Sequence, residues 1–471
     1  MAYETVIAGG RIVTGGAVVA ADIAITGGRI AAIGHGFDGA TRIDATGLIV
    51  TPGGVDAHCH IEQMSGMGLM NADTFETATR SAAMGGTTSI ISFAAQARGQ
   101  RLCDAMADYA ARAARGAAVD HAFHILISDP DVPDFEADLR ALIRAGHRSI
   151  KLFTTYNIGL SDDAILRVLR IAGDAGALTC IHAESDAIIA DARARALAEG
   201  RTRPIDHAAS RPRAAEIEAV ARMCHLAELA RAPVMIFHVS TREAVAGIAA
   251  ARARGAPIWA ETCPHYLFQT EDVLDRPGRE GAKWMCSPPQ RTRADQAALW
   301  AGIAAGHIQV VSSDHAPYRF DETGKFANGF DAPFSAIANG MPGLEVRQPL
   351  MFDAMVTRGR LGLARFAQIT AEAPAALYGL RAKGRIAPGH DADLVLWDPA
   401  RHVSYGADDL HDNVGYNPWE GTTLTGWPVA VFVRGTAVMR EGDYLGQPGA
   451  GRWLDRAAIG AHPHDLTGTP P

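Results

Sequence analysis

The sequence predicts an α/β architecture: a (β/α)8 TIM-type barrel beside a small β-sandwich domain built from both chain ends. Three observations predict it. Eight apolar, strand-like segments recur between residues 48 and 317, separated mostly by Ala-rich stretches with helix signals. Short alternating runs with Gly-Gly pairs fill the first 50 residues, and the same texture returns after about residue 380. Ionisable residues sit at the ends of several of the eight apolar segments, where a barrel of this type carries its chemistry.

In chain order, residues 1–50 hold the runs Thr5–Ala8, Val18–Thr26, Arg29–Ile33 and Thr41–Ala45. Gly-Gly pairs at 9–10, 15–16 and 27–28 punctuate them, a pattern of small antiparallel β structure. The barrel is expected over 51–380. Its strand segments are 48–60, 87–95, 121–128, 149–155, 177–185, 233–240, 257–267 and 308–317. Between them, Asp73 with Glu76 and Ser240 with Glu243 have capping-box spacing, and Ser161-Asp162-Asp163 opens a further helix. The Gly85-Gly86 pair and Gly255 mark helix ends. Residues 381–445 alternate again and turn at Gly, which assigns them to the end domain. The tail, 446–471, is weakly patterned and is expected to be disordered or an arm on a neighbouring subunit.

Bulk properties narrow the function. The 471 residues are 48% hydrophobic and carry a formal charge of −8, so a nucleic-acid partner, which needs a basic surface, is not expected. No apolar run approaches the ~20 residues that span a bilayer. The opening residues MAYETVIAGGRIV lack the layout of a secretory signal, which predicts a cytoplasmic protein. Six scattered cysteines, none in a C-x-x-C pair, read as reduced, buried thiols.

The chemistry lies in what ends the strands. The first ends in His58 and His60, the fourth contains Lys151, the fifth ends in His182, the sixth in His238 and the eighth in Asp314. Strand side chains alternate with period two, so His58 and His60 share a face and can chelate one ion, with Cys59 turned away. A single strand-end histidine is more often a packed residue than a ligand. Six such residues at the ends of one barrel point instead to a metal site. Lys151 within an apolar strand demands a partner or a chemical change, because burying an ammonium is costly. His121, His124, His265 and His315 are assigned to packing or to support of the ligands.

Several motifs resemble the dihydropyrimidinase and D-hydantoinase family of cyclic amidohydrolases. They are GGVDAHCHIE (53–62), SIKLFTTY (149–156), IHAE (181–184), FHVS (237–240), ETCPHYL (261–267), CSPP (286–289), SSDHAP (312–317) and NGMPGLE (339–345), and the similarity runs from about residue 3 to 445. The resemblance implies two divalent ions, Zn2+ foremost, bridged by Lys151 carboxylated on Nζ. His58, His60 and Asp314 then hold one ion and His182 and His238 the other. Two ions ~3.5–4 Å apart share a hydroxide at neutral pH, which opens the ring. Asp314 takes and returns the proton, Tyr156 binds the oxyanion, and backbone groups of Ser287 and Asn339 hold the ring amide. A homo-oligomer, dimer or tetramer, is implied as well.

These readings predict hydrolytic opening of a 5,6-dihydropyrimidine or 5-substituted hydantoin to an N-carbamoyl amino acid. Allantoinase or dihydroorotase activity is the near alternative, and a non-catalytic scaffold relative the distant one. Dihydroorotases usually place an Arg two residues after the second His; here that residue is Glu62, which disfavours an acidic substrate. No Glu-Pro-Gly follows the pair, unlike many allantoinases. All six ligand positions are filled, which disfavours the scaffold reading. The loop 62–73 carries Met64, Met67, Leu69 and Met70, a candidate adaptable wall for apolar 5-substituents.

Overall fold

The computed structural model describes residues 2–459. Eight strands form one sheet: Gly54–Cys59, Thr87–Ala95, Asp120–Leu126, Ser149–Phe153, Leu178–His182, Val234–Ile236, Ile258–Thr262 and Val310–Val311. All neighbouring pairs run parallel, and each strand overlaps one predicted segment. Helices cover the outside, and Phe93, Phe153, Phe237 and Trp259 fill the inside with Leu377 and Tyr378.

The barrel closes by unusual means. The last strand is only two residues long, so no ladder joins it to the first. Cys59 bridges His315, and the His60 N–H donates to the His315 carbonyl at 2.7 Å. Below this, the Asp56 carboxylate accepts the Ser313 N–H at 3.1 Å and meets Arg347 Nε at 3.0 Å. A side chain thus supplies the acceptor that a longer strand would have offered.

Both chain ends build a second, nine-stranded sheet. It joins Tyr3–Thr14, Ala17–Thr26, Arg29–Gly34, Gly39–Asp44 and Ile49–Pro52 to Leu394–Ser404, Thr423–Val433, Thr436–Arg440 and Asp443–Tyr444. The halves meet where Ile49–Pro52 pairs antiparallel with Leu394–Ser404. Ile7, Ile23, Val50, Leu394, Leu396 and Phe432 share one core.

Four expectations are corrected. The segment 48–60 is two strands, parted at Gly53, and Ile49–Pro52 belongs to the second sheet. That sheet is mixed rather than antiparallel, because Tyr3–Thr14 pairs in parallel with both Gly39–Asp44 and Ile49–Pro52. Gly9-Gly10 ends no strand; it is a bulge inside Tyr3–Thr14, with Gly9 at φ +76°. Two caps sit one residue later than predicted. Thr74, with Thr77, caps Phe75–Met84, because Asp73 is committed to His315 and to the Asn413 N–H. Thr241 caps Arg242–Ala253, because Ser240 is held by Glu216.

The tail is the largest surprise. Through Ile459 it packs on its own barrel instead of leaving it. Arg452 and Leu454 bracket His121 through backbone bonds of 2.9 and 2.8 Å, and the Ala457 N–H donates to Gly379. Buried Arg456 reaches Ser149 Oγ at 2.6 Å and the Phe123 carbonyl at 2.5 Å. The remainder of the expected tail, 460–471, lies outside the described residues. All six cysteines are free, five of them buried and Cys103 half-buried.

Candidate metal centre and substrate cavity

The strand ends bring the six predicted ligands to one cavity of about 600 Å³. His58 lies within the first strand and His60 just beyond it. Lys151 lies inside Ser149–Phe153 and His182 ends Leu178–His182. His238 and Asp314 follow the sixth and eighth strands. The backbone is bent to aim them: Tyr156, His238 and Asp314 have φ of +71°, +41° and +49°. Side chains rarely adopt this region, and such strain persists where the surroundings enforce it.

One group is His58, His60 and Asp314, whose nearest donor atoms all lie within 4.8 Å of one another. Asp314 Oδ1 lies 3.0 Å from His58 Nε2 and 3.4 Å from His60 Nε2. Burial works to raise the Asp314 carboxyl, yet His58 and His60 hold it well below its usual range. The far nitrogens are engaged too. His58 Nδ1 is 2.6 Å from Glu261 Oε1, and His60 Nδ1 is 2.7 Å from Gln63 Oε1. Those acceptors keep the proton on Nδ1 and turn the Nε2 lone pair inward, as metal-binding histidines require.

The second group is His182 and His238, with ring centroids 4.4 Å apart. His182 Nε2 lies 2.8 Å from Glu184 Oε2, which leaves Nδ1 as its free lone pair. Burial lowers His182 to about 4 and pulls His238 well below its ordinary value, so both rings are neutral. His238 Nε2 is buried without a hydrogen-bond partner among the described residues.

Lys151 lies between the groups. It is fully buried and its Nζ has no hydrogen-bond partner among the described residues. The rings of Phe237, Phe153 and Phe93 surround it at 4.2, 4.6 and 5.4 Å. Burial depresses its ammonium to about 8. An unpaired cation in such a cage is expensive, and two orphaned atoms, Lys151 Nζ and His238 Nε2, face a cavity rich in imidazole and carboxylate. This donor set fits a pair of divalent cations.

Tyr156, Ser287 and Asn339 line the same cavity. The Arg211 guanidinium stacks on the Tyr156 ring at 4.7 Å, and burial pushes the phenol up to about 12. Ser287 Oγ donates to Asn339 Oδ1 at 3.0 Å. The N–H and C=O of Asn339 have no hydrogen-bond partner among the described residues, and Asn339 lines the cavity.

The structure also departs from expectation at the site. Of the four apolar residues in the 62–73 loop, only Met67 lines the cavity; Met64 and Met70 are exposed and bridge each other. Ile158, Ile189, Phe334 and Ile337 supply the apolar wall instead. Glu62 does not line the cavity either. Its carboxylate accepts the Phe75 N–H at 3.0 Å, and Gln63 takes the place beside the histidines. Of the four remaining histidines, His124 bonds the Ala57 carbonyl and Ser149, and His315 bonds Asp73. His121 packs against Phe123, and His265 against Tyr266. Sequence reading missed Arg211, which bonds Glu184 and so steadies His182; no motif carried it. Glu184 and Glu261 lay within quoted motifs but had no assigned role.

Comparison with known proteins agrees with this fold. The Amidohydrolase family profile matches residues 49–438. A D-hydantoinase of Streptomyces coelicolor is 41% identical over 97% of this chain and 99% of its own length. The crystal structure of dihydropyrimidinase from Brevibacillus agri superposes with a TM-score of 0.94 at 37% identity, over 97% of this chain and 99% of that one. An L-hydantoinase (dihydropyrimidinase) from Arthrobacter aurescens superposes at 0.87 with 29% identity, over 96% of this chain and all of that one. With matched profile, relatives of nearly equal length and the same barrel, the chain belongs to the amidohydrolase family, in its hydantoinase and dihydropyrimidinase branch.

Proposed function

We propose that the protein hydrolyses a cyclic amide or imide, opening 5,6-dihydropyrimidines or 5-substituted hydantoins to N-carbamoyl amino acids. The observation that carries this reading is the convergence of five potential ligands on an orphaned Lys151, in the cavity that Asn339 also lines. In this reading His58, His60 and Asp314 hold one divalent ion and His182 and His238 a second, with Lys151 between them as N6-carboxylysine. Carboxylation replaces a buried cation by an anionic bidentate ligand, and a lysine depressed to about 8 has neutral amine available for it. The ions, zinc foremost, supply Lewis acidity and a water-derived nucleophile at neutral pH.

The chain's own groups do the rest. Asp314 accepts the proton of the attacking water and returns it to the leaving ring nitrogen. Tyr156 keeps its phenol protonated and donates it to the developing oxyanion. The Asn339 backbone, backed by Ser287, matches the N–H and C=O of a ring amide. Met67, Ile158, Phe334 and Ile337 face the ring substituent and favour apolar ones. A cytoplasmic homo-oligomer completes the reading on family resemblance, and light scattering would test the oligomer.

The deciding experiment pairs metal analysis with a substrate panel of dihydrouracil, dihydrothymine, hydantoin, phenylhydantoin, allantoin and dihydroorotate. Expected are two metals per subunit and turnover of the first four, lost on chelation and restored by Zn, Mn or Co. Fewer than one metal, with no ring opening, would overturn the reading; allantoin as the preferred substrate would move it to allantoinase. A Lys151→Ala variant should lose metal and activity together, and its keeping both would refute the bridging role.

A further inference from the structure

Lys325 is fully buried, yet no carboxylate lies within ion-pair distance of its Nζ among the described residues. The titratable groups near it are the Cys286 thiol and the neutral His207 ring. Its Nζ donates instead to two backbone carbonyls, Ala338 and Gly340, each at 3.0 Å. These carbonyls flank Asn339, a cavity-lining residue whose N–H and C=O have no hydrogen-bond partner among the described residues. Burial without a counter-ion lowers this ammonium to about 7, a cost that an aliphatic side chain filling the same space would avoid. The position therefore calls for a donor that reaches both carbonyls.

The surrounding bonds show what the clamp holds. Asn339 Oδ1 accepts from Ser287 Oγ, which lies 3.3 Å from His207 Nε2. The Gly340 N–H donates to Met285 at 2.7 Å. Gly340 has φ +143°, and a Cβ there would meet the Ala316 carbonyl oxygen at 2.2 Å, so this backbone passes where only glycine fits. Tied through Lys325, Ser287 and Met285, the 338–340 backbone has little freedom to turn. A donor on the Ala338 carbonyl also polarises the peptide whose N–H belongs to Asn339, and makes that N–H a stronger donor.

We propose that Lys325 is a positioning residue for the substrate: by gripping the carbonyls on either side of Asn339, it presents the Asn339 amide to the ring-amide edge. This rests on the ring-hydrolase reading above. It predicts a defect in substrate binding, separate from the metals and from the proton transfers.

The test is steady-state kinetics on hydantoin and dihydrouracil with the metal-loaded enzyme and its Lys325→Met and Lys325→Gln variants, alongside metal content and Tm. Lys325→Met should raise KM roughly ten- to a hundredfold for both rings while kcat falls less than about threefold. Metal content should stay at the wild-type value. Lys325→Gln keeps donors without the charge, so its KM should rise less. A lowered Tm with unchanged KM in both variants would mean that Lys325 only braces the loop, and would overturn the proposal. If Lys325→Met fails to fold, Lys325→Gln decides alone, and an unchanged KM overturns it. Wild-type enzyme inactive on both rings would overturn the ring-hydrolase reading, and this proposal with it, before any variant is made.

Discussion

Single atoms with no partner describe this site best. Lys151 Nζ and His238 Nε2 are buried and unsatisfied, whereas the outer atoms of His58, His60 and His182 are each paired with an oxygen of Glu261, Gln63 or Glu184. That division, outward atoms tied to supporting oxygens and inward atoms either unpaired or turned to Asp314, is what orients a ligand. It makes Glu184→Gln informative: the neutral amide loses the charge that holds His182 and pairs with Arg211. Metal affinity or activity should fall roughly 10- to 100-fold, read by metal titration of the purified protein. Tyr156 tests the oxyanion role. Tyr156→Phe should lower kcat roughly 10²–10³-fold with little change in KM, and an unaffected kcat would remove the phenol from the chemistry.

Among the elements, helix starts show how neighbours override local spacing. Both one-residue slips, from Asp73 to Thr74 and from Ser240 to Thr241, occur because the nominal cap was already bonded elsewhere. Asp295 shows the opposite case, a cap reinforced by tertiary partners. At the start of Arg293–Ala304 it accepts from Thr292, from the Arg242 N–H and from both arms of Arg213. Burial works to raise this carboxyl, but the Arg213 and Thr292 bonds hold it well below its usual range. A depressed folded-state pKa contributes stability that is present above the unfolded value of 3.8 and is lost as pH falls below it. Asp295→Asn should therefore lower Tm at neutral pH and flatten its fall in acid. A parallel shift of Tm at every pH would exclude this linkage.

For the whole molecule, the two sheets are held together by charge as well as by packing. Lys383, fully buried, reaches Asp120 of the barrel at 2.6 Å and Asp391 and Asp393 beside the second sheet at 3.0 and 2.8 Å. Asp120 also takes Arg434 and the Arg452 N–H, so the tail enters the same cluster. Removing the cation leaves buried carboxylates facing one another. Lys383→Met should cost about 3–5 kcal/mol, measured by denaturant unfolding. A loss within the range of a surface substitution would show that the cluster is screened by solvent.

By itself the sequence determined the barrel, because eight apolar segments at regular spacing have few other ways to bury themselves. It picked out the six candidate ligands as well, because ligand chemistry is carried by residue type and strand ends are legible from apolar runs. It marked Lys151 as anomalous, since a charge in such a run has no local explanation. The tertiary structure alone decided which side chains share the cavity. Glu62 and Gln63, or Met64 and Met67, are indistinguishable by spacing, and loop backbone settles which faces inward. It also decided that Ile49–Pro52 leaves the barrel, that the tail to Ile459 packs on its own chain, and that Arg211 and Lys325 stand behind the site. Those contacts join residues far apart in sequence. Local pattern reports what a residue can do, and only the folded chain brings its partner within reach.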